Sequence, residues 1–557
     1  MDNIRVFLWL TLLGMAWLVY TAWNADYGAR PPPPGSRTTP DTTQTVDQPP
    51  DLPSLNEQGA PAPQQQLPTV AAQTPPATGE LIHVQTDVLD VQIASQGGDL
   101  VRADLPQHRV HKDMPEPVIR LLDDSGPERW VFQSGVRSAV GGDEPNHVAT
   151  FRSASNEYAL EPGQDELVVT LDWVGDGQIS AQKTYTFKRG SYEVDLKLTV
   201  TPTAGGSWSG APYVQMERVN VPVARSYFRI DTYSFKGPVV YNGDSFQRFQ
   251  FDELAKMPVN LTADGGWFAA IQHHFLAAAV PPPGQFRYDA RTRGPAFILS
   301  AIGPTTDATA AMPLSSTFKL FVGPKLQRQL VTLHPELDRA ADFGVMTFLS
   351  KHLFWLLDKA HVLFNNWGFA IIAVTFLLKL VFYPLSEASG RSMAKMKLVA
   401  PRMKQIQELY KDDRQKLGAA TMELYKKEKV NPAAGCLPQL IQIPVFLAFY
   451  WVLLESVEMR QAPFIGWIQD LSSRDPFFIL PVIMAGAMFL QYKLQPTPAD
   501  PVQAKVFMIL PLVMSVTFAF FPAGLVLYWV TNTVLTIAQQ WNINRRIEAA
   551  NAARTSN

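Results

Sequence analysis

Residues 366–386 read NWGFAIIAVTFLLKLVFYPLS, an apolar run that carries one charge, Lys379. From Trp367 to Ser386 there are 20 residues, which as a helix rising about 1.5 Å each would cover the roughly 30 Å core of a bilayer. A soluble core helix rarely needs that length. A lysine inside such a span costs about 2.5–3.5 kcal/mol on insertion scales, which points to a group facing a polar cavity. Snorkelling is the other reading. Lys379 precedes Ser386 by seven residues, about 10 Å of helix, and its four-carbon stem can carry the ammonium toward an interface.

Charge divides the chain of 557 residues unevenly along its length. Residues 80–366 hold 26 basic and 32 acidic side chains, whereas residues 367–557 hold 19 and 12. A basic, apolar carboxyl-terminal part behind an acidic remainder fits two sides of a membrane better than a nucleic-acid binder. With Cys436 as its only cysteine, the chain can form neither an intrachain disulfide nor a cysteine-built metal site. Residues 1–27 contain an apolar run from Ile4 to Trp23 without a small-residue cleavage site, read as an uncleaved signal anchor. Residues 28–79 hold 13 prolines and no aromatic residue. They read as a disordered tether, because they cannot bury enough apolar surface to offset ordering entropy.

Residues 80–340 change to short alternating runs punctuated by glycine turns. Tyr192, Val194, Leu196, Leu198 and Val200 alternate with polar residues, and the run Leu167, Val169, Leu171 and Trp173 ends at Gly175-Asp176-Gly177. Period two with one buried face predicts strands, and their number predicts a large β-sandwich. His273-His274 is the pair most suggestive of chemistry. On a strand, neighbours point to opposite faces and cannot jointly chelate a metal, so no catalytic site is expected here.

Residues 341–365 are amphipathic and too interrupted by charge to span. They read as an interfacial helix on the membrane surface, with a core helix closing the sandwich as the competing reading. After the 366–386 span, four more apolar segments lie at about 437–457, 477–491, 504–521 and 525–540. With the anchor, the count is six spans. The intervening residues 387–436 carry 11 Lys or Arg against 6 Asp or Glu, which assigns them to the cytoplasm. Parity then places the β region outside and the basic tail, residues 541–557, inside. The 387–436 segment reads as a helical hairpin: Pro401 opens one helix, Lys411-Asp412-Asp413 turns, and Leu417, Leu424 and Tyr425 mark the return.

Polar residues recur inside the spans at helical spacing. Thr375 is one turn from Lys379; Gln439 and Gln442 open the third span; Tyr528, Asn532, Thr536 and Gln540 repeat at four in the last, beside Trp529 and Thr533. In lipid such stripes turn inward, as hydrogen-bonded glue or as the wall of a wet cavity. Glue accounts for Thr, Asn and Gln, but not for an unpaired lysine. The nearest acid, Glu455, stands at the opposite end of its span, so a hydrated cavity is the better account of Lys379.

The 366–386 run, SMAKMK, LYKKEKVNPAAGCLPQLIQIPVFLAFYWVL, VEMRQAPFIGWIQDLSSRDPFFILP and FPAGLVLYWVTN together resemble the YidC-type membrane protein insertases, relatives of the mitochondrial oxidase-assembly and thylakoid insertases. The likeness covers roughly residues 342–546, and the long β region with its anchor resembles the Gram-negative form. It implies a multidomain membrane protein: an all-β periplasmic sandwich plus a helical transmembrane bundle, six spans with five in the family core, in the bacterial inner membrane. It further implies a hydrophilic groove open to cytoplasm and lipid, formed by Lys379, Thr375, Gln442, Tyr528, Trp529 and Asn532. A slide for the apolar part of a substrate is implied at Ile443, Pro444, Phe446, Pro511, Met514 and Phe518. Lys379 departs from the family's usual arginine, keeping the charge without the planar fork. Trp529 replaces a groove tyrosine with a donor-only indole. The implied partners are nascent membrane proteins and membrane lipids, with a ribosome, a targeting receptor and the general secretion translocon as further candidates. No cofactor, metal or covalent chemistry is expected. The alternative class is a secondary transporter with a periplasmic binding domain, whose mark would be repeated halves with broken midplane helices.

Overall fold

The computed structural model describes residues 53, 79–112, 114, 116–139, 141, 143–175, 179–203, 205–222, 234–341, 343, 346–410, 413–428, 437–494 and 501–555. The expected anchor and, apart from residues 53 and 79, the expected tether lie outside them.

Alternation builds the amino-terminal half. The strand Glu193–Pro202 pairs antiparallel with Ile179–Lys188 on one side and Leu314–Pro324 on the other. Val194, Leu196, Leu198 and Val200 point inward with Tyr185 and Phe187 from the neighbouring strand. Gly190, at φ 67°, makes the intervening turn where a side chain would be strained. Extending this pattern gives an 11-stranded and a nine-stranded sheet packed face to face. Lys183 falls on the apolar side by the same period, and Ser134 satisfies it with its carbonyl at 2.7 Å and its hydroxyl at 2.9 Å.

His273-His274 is not on a strand. The pair forms the turn between Trp267–Gln272 and Phe275–Val280, with His273 at φ 45°. A left-handed residue in a tight turn brings both rings to one side, stacked at 3.7 Å. The strand-geometry argument against joint action therefore fails, although no group of three or more metal-ligating side chains occurs among the described residues.

The carboxyl-terminal half is helical: α1 (Thr347–Phe364), α2 (Trp367–Val381), α3 (Tyr383–Leu409), α4 (Arg414–Lys427), α5 (Leu437–Glu455), α6 (Ile479–Leu494), α7 (Pro501–Phe518) and α8 (Ala523–Thr555). Asn366 caps α2, its side chain accepting from the Gly368 and Phe369 amides. In α1, Leu353, Phe354 and Leu357 join the core of the helical half, and Ser350 Oγ donates to the Ala448 carbonyl at 3.3 Å. The helix therefore does not close the sandwich. Its other face leaves Phe348, Trp355 and Val362, one every seven residues, exposed at 80%, 58% and 71%.

Two sequence expectations change here. The 366–386 stretch is not one straight span: α2 stops at Val381, and the chain bends by 68° into α3. Pro384 stands in the first turn of α3, where a missing amide costs nothing, and its ring disfavours helical geometry at the residue before it. Pro401 likewise does not open a helix but lies inside α3. By length and composition, no single described helix is long and apolar enough to cross a membrane, while the α2–α3 pair passes only as a bent unit.

Candidate substrate groove

Four helices bring the polar stripes together. Thr375, Leu378, Lys379 and Phe382 from α2 and its end, Leu385 and Ser386 from α3, Ile441, Gln442 and Val445 from α5, and Tyr528 and Asn532 from α8 line one pocket of about 440 Å³. Five of the six expected groove residues are among them. Leu385 and Ser386 follow Lys379 by six and seven residues, the spacing of one helix face, and both still line the pocket beyond the bend.

Within the pocket, Lys379 Nζ donates to Thr536 Oγ1 at 2.8 Å, and that hydroxyl donates in turn to the Asn532 carbonyl at 2.7 Å. Thr375 is buried, its hydroxyl turned back to the Ile371 carbonyl at 2.6 Å, the local bond that threonine makes inside apolar helices. Asn532 is nearly buried, and Gln442 reaches the side of Tyr528. Among the described residues no carboxylate pairs with Lys379, and Glu455 is committed elsewhere, to Lys325 at 2.8 Å. A lone ammonium in a pocket lined by both apolar and polar side chains attracts anionic groups and offers hydrogen bonds only as a donor.

Trp529 does not line the pocket. Its ring packs against Phe446 at 5.0 Å and Phe518 at 5.2 Å, with Phe446 and Phe518 themselves 5.9 Å apart. One residue along α8 is a rotation of about 100°, which carries Trp529 from the pocket side to the apolar side. Tyr528 stacks on Phe449 at 4.4 Å and lies 6.5 Å from Phe446. The Phe446, Tyr528 and Trp529 rings thus form the wall between pocket and apolar track. Of the remaining slide candidates, Ile443 and Pro444 are half-buried on α5, Met514 is half-buried beside the core, and Pro511 is buried in α7.

Thr536, the direct partner of Lys379, was visible in the sequence as a member of the four-residue stripe. Ser386 and Leu385 carried no comparable signal. Outside the pocket, Phe376, Leu377, Leu380, Val482, Ile483, Phe489, Leu512, Val513 and Val516 are all exposed. They leave apolar side chains exposed on each of α2, α6 and α7.

Fold and site together define a two-part protein, a β-sandwich joined to an apolar-surfaced helical region around a cationic pocket. Residues 81–356 match the YidC periplasmic domain family and residues 359–551 match the 60Kd inner membrane protein family. A membrane protein insertase YidC from Thioalkalivibrio sulfidiphilus is 46% identical over 571 residues, covering 99% of both chains. Those from Methylococcus capsulatus and Pseudomonas aeruginosa are 43% and 41% identical, covering 98% and 99% of this chain and 99% of each relative. The chain belongs to the YidC family of membrane protein insertases.

Proposed function

We propose that this chain inserts nascent membrane proteins into the bacterial inner membrane and chaperones their folding. The Lys379 pocket receives the polar tail of the substrate, and the Phe446, Phe518 and Trp529 track guides its apolar segment toward lipid. The observation that carries the reading is the single aromatic wall shared by a cationic pocket and an apolar track. A segment leaving water along that wall gains about 25 cal/mol per Å² of apolar surface buried, so no covalent step or nucleotide is needed. The pocket lowers the cost of carrying the attached polar tail.

In this reading the anchor and five core spans make six, the β domain is periplasmic, and α3, α4 and the tail of α8 are cytoplasmic. Met403, Val399 and Leu424 give the α3–α4 hairpin a small core, and Arg402 pairs with Glu428. Its basic outer surface is the docking face for a ribosome, a targeting receptor or anionic headgroups, and the general secretion translocon remains a candidate partner of the bundle. No observation favours the transporter alternative. The test is reconstitution of the purified full chain in liposomes with a small single-span substrate. Protease protection of the substrate tail in these vesicles, and not in empty ones, is expected; equal protection in both overturns the reading.

A further inference from the structure

Pro53 precedes Gly79 by 26 residues, well before the first strand of the β domain, and yet it is buried. The sequence around it departs from the rest of residues 28–79. Pro53 stands between Leu52 and Leu55, two of only five Leu or Val side chains in a stretch otherwise rich in Pro, Thr, Gln and Ala. A polar tether offers little apolar surface to bury, so a point where it concentrates that surface is a natural place for contact.

The β domain meets Pro53 with Arg137. On the strand Trp130–Ser138, Trp130, Phe132 and Val136 fill the core between the sheets, so the alternation turns Arg137 to the opposite face. Its side chain is nonetheless only 5% exposed. Nε donates to the Glu144 carboxylate at 2.8 Å, and Nη1 donates to the Pro53 carbonyl at 2.5 Å. Glu144 is itself held, accepting from the Ser138 amide at 3.1 Å and from the Asn146 side-chain amide at 3.2 Å. Because the guanidinium is a planar fork, fixing one edge on Glu144 aims the other donors at a set place. A buried donor without an acceptor is costly, so this arrangement favours the occupied site. Proline suits it, since its φ is fixed beforehand and it brings a carbonyl without an amide that would need a partner of its own.

We propose that Arg137, oriented by Glu144, forms a docking site on the β domain for the chain's own amino-terminal tether, which is seated there at Pro53. The consequence is a shorter leash. Residues 28–78 are 51 residues, whereas residues 28–52 are 25. At about 3.4 Å per extended residue, docking lowers the greatest separation of residue 27 from the β domain from about 170 Å to about 85 Å. Residues 54–78 then have both ends on the domain. The proposal is independent of the insertase reading, because it involves no residue of the pocket or the track.

The test uses the full chain in lipid nanodiscs, in a Cys436→Ser background, with spin labels at Asn56 and at the exposed Val168 of the β domain. The parent is expected to give one narrow distance distribution. A tether variant with Leu52→Gly, Pro53→Gly and Leu55→Gly is expected to broaden it, and so is Arg137→Met combined with Glu144→Gln, which leaves no unpaired carboxylate. A synthetic peptide of residues 48–57 is expected to bind the tether variant at least tenfold more tightly than the parent, whose site is filled. A parent distribution as broad as that of the tether variant overturns the proposal, as does equal binding of the peptide by the two. The tether variant changes no β-domain residue, so it decides the matter even where the Arg137 variant does not fold. Chains carrying the Asn56 label alone are also mixed in liposomes with chains carrying the Val168 label alone. A defined distance between them would seat the tether on a second copy and overturn docking within the chain. Insertion is not a readout, so a parent that inserts nothing would sink the insertase reading and leave this one to the distances.

Discussion

Lys379 Nζ and Thr536 Oγ1 are 2.8 Å apart, on helices separated by more than 150 residues of chain. The ammonium of α2 is thus held toward the polar stripe of α8, rather than left to extend along the apolar surface as snorkelling requires. At about 4 Å and an effective dielectric near 20, such a charge attracts a carboxylate by about 4 kcal/mol, and by less where water intervenes. Lys379→Arg is expected to keep insertion. Lys379→Ala should slow substrates with acidic tails and spare neutral ones, and Lys379→Glu should slow acidic tails most. Matched substrates differing only in tail charge, assayed with equal amounts of each variant, provide the check. Equal insertion of both by Lys379→Ala would make the lysine an interfacial anchor.

Thr536→Val removes the hydroxyl that receives the ammonium while keeping shape. The expected outcome is a lesser version of the Lys379→Ala pattern, a loss of about twofold to tenfold confined to acidic tails, corresponding to the roughly 0.5–1.5 kcal/mol net of one hydrogen bond. An equal loss with neutral tails would show that the bond serves helix packing instead.

Trp529 sits between Phe446 and Phe518 rather than in the pocket. Trp529→Tyr keeps an aromatic body at the wall and is expected to preserve activity. Trp529→Ala should lower the stability of the helical half by about 1–3 kcal/mol, less than for a fully buried tryptophan because the ring is half-buried. Thermal unfolding in detergent measures the cost, and photocrosslinking from position 446 should report substrate contact that weakens in Trp529→Ala.

Among the described residues, the α3–α4 hairpin has a core of three buried side chains. Removal of residues 401–429 should therefore leave the bundle folded while slowing substrate delivery several-fold. Protease mapping of the spans and insertion rates check the two halves of this expectation. Normal rates would reduce the hairpin to a topology determinant.

His147 is buried in the β domain, its Nδ1 accepting from the Tyr213 hydroxyl at 2.7 Å. Burial, reinforced by Lys183, Arg129 and Arg137, pushes its imidazole down to about 3. Because the folded value lies below the unfolded 6.5 or so, the neutral ring supports the fold above that pH, and its contribution is lost as pH falls from about 6.5 toward 3. Denaturant unfolding of the full chain should show stability falling on acidification, by at most about 1.4 kcal/mol per pH unit for this one proton. His147→Gln should reduce that slope. An unchanged slope would assign the acid sensitivity to other groups.

Local periodicity was enough to read the strands of the β domain, the amphipathic α1, and the polar stripes of α2, α5 and α8, because each depends on residues two to four apart whose faces the backbone geometry dictates. Thr375, Gln442, Tyr528 and Asn532 were legible as pocket residues for that reason, whereas the division of the apolar residues of α1 between a buried face and an exposed stripe was not. Tertiary structure decided what depends on distant partners. The chain bends after Phe382 instead of continuing as one straight span; the rotation of α8 gave Trp529 to the apolar track; and the His273-His274 turn met the end of α5. Glu455 is the clearest case. Alone it is an acid at the wrong end of a helix, and only the fold, by bringing Lys325 across 130 residues of chain, turns that unfavourable charge into a point of attachment. Sequence pattern carries the faces of an element, whereas the partner of a buried charge is set by which elements the long-range packing brings together.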